Sequence, residues 1–147
     1  MLEQIIKEKT SADHLLYVSL KYTKTCDVIL NLIKRWTIMV GFCIDSLLVQ
    51  AKKMKKVSAI PAAPRQKTEL AKKVFKSSPE ITQAIELHEF FKRTENLTKL
   101  REHEFRKNVR LVVNDGGKEV IIDLEKLKEY SRIIDLFIDY TKKYISQ

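Results

Sequence analysis

Residues 110–123, "RLVVNDGGKEVIID", decide whether this chain is a pure helix bundle or a bundle with a sheet attached. Leu111, Val112 and Val113 precede Asn114-Asp115-Gly116-Gly117, and Val120, Ile121 and Ile122 follow it. β-Branched runs around such a turn are a hairpin signal, because tight two-residue turns need residues that tolerate positive φ. A helix that ends at Asn114 and turns through the glycines is the competing reading. The hairpin, at 110–122, is preferred.

On its C-terminal side, "DLEKLKEYSRIIDLFIDYTKKYI" (123–145) opens with Asp123 as a helix cap. Leu127, Tyr130, Ile134, Phe137, Ile138, Thr141 and Ile145 then recur at helical spacing. On its N-terminal side, "REHEFRKNVR" (101–110) is expected to be helical. At ~100° per residue, Leu97, Phe105, Val109 and Val112 form an apolar stripe. His103, Arg106, Lys107 and Arg110 fall opposite it. Arg101, Glu104 and Asn108 fall on the core side, a polar trio whose spacings let its members satisfy one another. Such a trio is either a structural network or part of a cleft or dimer interface.

Further out, Thr10 or Ser11 with Asp13 caps a helix expected at about 11–23. A second helix starts near Thr25 and Asp27 and runs to about Lys56. It is apolar on nearly every face between Trp36 and Val49, which places it at the centre. "IPAAPRQ" (60–66) breaks the pattern, since prolines three apart cannot sit inside a helix. A short helix at 66–76 follows, then another with Ser78 as cap, Pro79 in the first turn and Glu80 at its positive end. The expected fold is therefore mainly all-α. It is an up-and-down bundle of about five helices in one domain, 1–147, with one small hairpin.

The chain has 147 residues, 44% hydrophobic and 32% charged, with net charge +9 and pI near 9.5. That composition is globular and favours acidic partners, nucleic acid among them. The excess is local. Residues 51–80 hold nine cations against two carboxylates, while 1–50 and 81–147 each carry a net +1. The nine are Lys52, Lys53, Lys55, Lys56, Arg65, Lys67, Lys72, Lys73 and Lys76. Clustering matters because phosphate neutralisation needs several cations within reach of one backbone. Phe75 is the sole aromatic among residues 51–76, so base stacking is not indicated and contact would be to phosphates. A solvated face, with lysines suited to the negative end of a helix, is the plainer alternative.

Cys26 and Cys43 stand in no CxxC and read as buried thiols rather than a disulfide. His14, His88 and His103 lie far apart, so no metal site or other cofactor is read. No phosphate-binding loop, dinucleotide fingerprint, zinc-protease or nucleophile-elbow motif is present. "TIMVGFCIDSLLV" (37–49) is too short to span a bilayer, and the N-terminus lacks a signal-peptide core, so a cytoplasmic location is expected.

Residues 97–145, with "FRKNVRLVV" before "VIIDLEKLKEY", resemble the HEPN superfamily of small helical proteins. The resemblance implies a helical, often dimeric chain, many relatives being RNA-cleaving toxins or partners of minimal nucleotidyltransferases. It would make Arg101, with His103 or Arg106, the catalytic candidates, completed across a dimer. The family hallmark is Arg, four to six residues, then His, on one late helix. No Arg–His pair here has that spacing, so the resemblance implies a non-catalytic relative. The leading expectation is thus a non-enzymatic, dimeric binding module that contacts nucleic acid or an acidic protein through 51–76. A HEPN-type RNA-cleaving enzyme and a purely structural homodimer are the alternatives. In the latter, the apolar second helix and the Tyr-rich last helix would supply the dimer face.

Overall fold

A computed structural model describes all 147 residues. The helices are α1 (Leu2–His14), α2 (Leu20–Tyr22), α3 (Cys26–Lys53), α4 (Pro64–Val74), α5 (Pro79–Thr94) and α6 (Leu124–Ile145). A π-helical turn, Leu15–Ser19, joins α1 to α2, so the two form one rod and the molecule has five rods in all. Three strands lie between α5 and α6: β1 (Lys99–Glu102), β2 (Arg110–Asp115) and β3 (Lys118–Ile122). They form an antiparallel sheet in the order β1-β2-β3.

The apolar run of α3 makes it the centre. Ile29, Leu32, Met39, Cys43, Leu47, Leu48 and Ala51 are all but fully buried along its length. Three rods meet on aromatic rings: Trp36 of α3 stacks on Phe91 of α5 at 5.9 Å, and Tyr130 of α6 meets Phe91 edge-on at 5.4 Å. Pairs of this kind are worth about 0.5–1.5 kcal/mol beyond the area they bury. Most apolar side chains of α3 and α6 are thus buried inside the chain, while Ile38 and Val49 of α3 and Leu136 of α6 stay exposed. No helix is long and apolar enough to cross a membrane.

The hairpin forms as read. Asp115 pairs with Lys118, leaving Gly116 (φ 63°) and Gly117 (φ 88°) as a two-residue turn. Positive φ at both positions is what the right-handed twist of the flanking strands demands. Asn114 Oδ1 also accepts from Gly117 N at 2.9 Å. Leu111, Val113 and Ile122 are completely buried on the inner face. The last helix also forms as read, with Asp123 Oδ1 accepting from Lys126 N at 2.9 Å. Ser78 occupies the α5 cap position, but its hydroxyl lies 3.1 Å from Tyr140 Oη instead of capping.

Two expectations are corrected. Helix begins at Leu2, not near Ser11, because Ile5, Ala12, Leu16 and Leu20 form a narrow buried stripe that packs on α3. Thr10 is therefore mid-helix, its hydroxyl donating to Ile6 O at 3.0 Å. Residues 101–110 are not helical either: Lys99–Glu102 pair with β2, and 103–109 form a loop. The hairpin leaves one edge of β2 with unpaired backbone groups, and pairing them outweighs the modest helix propensity of a polar segment. His103 (φ 56°) and Phe105 (φ 67°) take left-handed conformations to make the reversal.

Candidate nucleic-acid interface

The C-termini of α3, α4 and α6 meet at one end of the bundle. Gln50, near the end of α3, donates from Nε2 to Gln147 O at 2.8 Å. Phe75, which closes α4, meets Tyr144 of α6 edge-on at 5.1 Å. The Lys56 ammonium lies 5.6 Å from the centre of the same Tyr144 ring. Each of the three helices carries a lysine pair in its last turn: Lys52–Lys53, Lys72–Lys73 and Lys142–Lys143. Lys55, Lys56 and Lys76 follow in the adjoining turns.

Eight of these lysines are exposed and form no ion pair: Lys52, Lys53, Lys55, Lys56, Lys73, Lys76, Lys142 and Lys143. The plain account, compensation of helix dipoles, can be sized. Each helix end carries roughly −0.5 elementary charge, so three ends carry about −1.5 in all. Eight ammoniums exceed that about fivefold. The end of the bundle is therefore strongly positive after the dipoles are accounted for.

The α3 terminus adds a second oddity. Lys55 N donates to Lys52 O at 3.0 Å and Lys56 N to Ala51 O at 2.9 Å, the paired bonds of a Schellman turn. In that turn the left-handed residue is usually glycine, because a Cβ there costs roughly 1 kcal/mol or more. Here it is Lys55, at φ 61°. A non-glycine residue held in this conformation on an exposed charged surface is a pointer to function.

Three of the nine cations expected at the site do different work. Lys67 is tied to Asp45 of α3 at 3.0 Å. Lys72 binds Glu89 of α5 at 2.7 Å and Glu69 at 3.4 Å. Arg65 is exposed but stands at the start of α4, a helix length of ~16 Å from Phe75. Lys142 and Lys143 are not read with the others from sequence, because they lie more than sixty residues beyond them. The shared signal was a KK pair closing each helix.

The trio Arg101, Glu104 and Asn108 does not face the core. Arg101 and Asn108 are exposed and Glu104 is half-buried. Arg101 pairs with Asp27 at 2.8 Å and Glu104 at 3.4 Å. Glu104 Oε1 accepts from Cys26 N at 3.2 Å, so the loop caps the N-terminus of α3 from 78 residues away. Two carboxylates at a positive helix end, bridged by one guanidinium, are a structural arrangement. Arg106 is exposed on the loop, and His103 borders a shallow cleft with Lys107 and Asp123. Neither they nor Arg101 is hydrogen-bonded to a hydroxyl or thiol nucleophile. Of residues 97–145, which carry the HEPN resemblance, 97–122 are mostly sheet and loop and Leu124–Ile145 are helix α6. Cys43 is fully buried, and burial pushes its thiol up to about 12, away from the thiolate form. Burial also raises the Cys26 thiol, and its Sγ–H donates to Arg110 O at 3.3 Å. No family model, no curated protein and no solved structure matches this chain.

Proposed function

We propose that this protein binds the phosphate backbone of nucleic acid through the lysine end of the bundle, without reading base sequence. The observation that carries the reading is the set of eight unpaired, exposed lysines gathered there from three helix termini. Several ammoniums within reach of one backbone release several counterions, which is the main source of sequence-independent affinity. The nearby aromatics support phosphate contact over base stacking. Phe75 and Tyr144 are buried, and half-buried Tyr140 is engaged with Ser78, so no ring is free to take a base.

The test is a fluorescence-anisotropy titration with a mixed-sequence DNA duplex and an RNA duplex at several salt concentrations. Binding is expected to be alike for unrelated sequences and to weaken steeply with salt. The variant with Lys52, Lys53, Lys55 and Lys56 changed to Gln should lower the log–log salt slope by about 3.6, or 0.9 per lost contact. Absence of binding at low salt would overturn the proposal. So would tight binding of poly-glutamate with none to either duplex, which would assign the same lysines to an acidic protein.

A further inference from the structure

Midway along α3, a half-open cleft of about 210 Å³ lies between α3, α4 and α5. Two of its lining residues are poor choices for the fold alone. Gly41 sits inside the unbroken central helix, where glycine is less favourable than alanine. Close approach of a neighbour usually explains such a glycine, yet a Cβ placed on Gly41 meets no atom within 4 Å. His88 of α5 is only 3% exposed, and its enclosed Nδ1 has no hydrogen-bond partner. An unpaired buried acceptor is tolerated better than an unpaired N–H, so the ring proton belongs on Nε2, the nitrogen left to meet the cleft. Burial, reinforced by the Lys92 charge, lowers His88 to about 4, so the ring is neutral at pH 7.

We propose that this cleft binds a small monocarboxylate with a short apolar body. Lys67 and Lys92 line it and bring two positive charges. Asp45, 3.0 Å from Lys67, brings one negative charge. The remaining single positive charge matches one carboxylate, and charge-assisted hydrogen bonds from ammonium to carboxylate are the strong kind. His88 Nε2–H adds a neutral donor that holds its proton at physiological pH. Ile38 and Phe42 offer apolar surface to the body of the ligand. The volume lies below the range of drug-sized pockets, which suits a compact molecule. The missing side chain of Gly41 keeps the floor open.

The experiment is a titration of the ¹⁵N-labelled full chain with benzoate, and separately with inorganic phosphate, followed by amide shifts. Benzoate is expected to saturate in the millimolar range and to move amides around Gly41, Thr68 and His88. Gly41→Leu and Lys92→Gln should each weaken it by at least about tenfold. Gly41→Ala should raise the melting midpoint, since alanine favours the helix roughly fivefold over glycine and has room there. The variant with Lys52, Lys53, Lys55 and Lys56 changed to Gln should bind benzoate as the parent does, which separates this site from the lysine end. Unsaturable shifts with benzoate, or parent-like binding by a folded Gly41→Leu, overturns the proposal. Phosphate binding as tightly as benzoate removes the apolar body, and a lower midpoint for Gly41→Ala removes the argument from the glycine.

Discussion

At one end of the bundle eight lysines stand without carboxylate partners; around the sheet, three of four arginines hold at least one. Arg93 grips Asp115 through both Nε, at 3.2 Å, and Nη2, at 2.9 Å. Arg101 holds Asp27 at 2.8 Å, and Arg110 holds Glu102 at 2.6 Å. Only Arg106 stays free. The difference follows the chemistry of the cations. A guanidinium is a planar fork suited to fixing one carboxylate, whereas an ammonium is a hydrated point charge on a flexible stem. Paired arginines tie the strands to helices and to one another and contribute little field at a distance. Unpaired lysines leave their charge available to a ligand. Local charge density thus misleads about function until the partners of each charge are known.

The largest effect that could break this comparison is on nucleic-acid affinity. If all four lysines of 52–56 touch phosphate, changing them to Gln lowers duplex affinity about a thousandfold at 0.15 M salt. Changing Arg101, Arg106 and Arg110 to Gln should leave affinity within about threefold. Equal losses from both sets, measured by anisotropy, would erase the distinction between the two regions.

Next in size is an acid effect. His88 binds its proton at about 4 in the folded chain against 6.5 ordinarily. Between those values the unfolded chain takes up a proton that the folded chain does not, so stability is lost as pH falls through the window. The loss is about 1.4 kcal/mol per pH unit, or on the order of 3 kcal/mol by pH 4. Burial disfavours the charged ring most, and Lys92, which shares the cleft, adds to it. Urea midpoints at pH 7 and pH 4.5 should converge in His88→Gln relative to the parent. A parent-like drop in that variant would assign the acid sensitivity to other groups.

A smaller effect tests the paired side directly. Glu104→Ala removes the acceptor for Cys26 N and one partner of Arg101, and should cost about 1–2 kcal/mol in denaturant unfolding. A cost near zero would mean that water caps α3 equally well. Smallest of all is Lys55→Gly. It should stabilise the chain by roughly 1 kcal/mol by relieving the left-handed lysine, while reducing the salt slope of binding by about 0.9. A variant that gains stability and keeps the full slope would show that Lys55 contributes no phosphate contact.

Features set within a few neighbouring residues were legible in the sequence. The α3 core stripe, Pro79 in the first turn of α5, the Asp123 cap and the Gly116–Gly117 turn all follow from periodicity or turn chemistry. So did the concentration of charge at 51–76. Strand β1 was not legible, because Lys99–Glu102 is a strand only by virtue of the β2 edge beside it. The first turns of α1 were missed because Ile5, Ala12 and Leu16 are too sparse a stripe without α3 to receive them.

The sequence alone determined α3 to α6, the hairpin and a positive balance of charge, since these depend on backbone preferences and side-chain spacing within about one or two turns. Tertiary structure alone decided which charges are spent. It brought Asp45 to Lys67 and Glu89 to Lys72, set Asp27 against Arg101, and brought the end of α6, with Lys142 and Lys143 in its last turn, to the end of α3. It likewise placed His88 opposite Gly41. The physical reason is that electrostatic and hydrogen-bond partnership falls off within a few ångströms, and only folding sets distances between residues far apart in the chain.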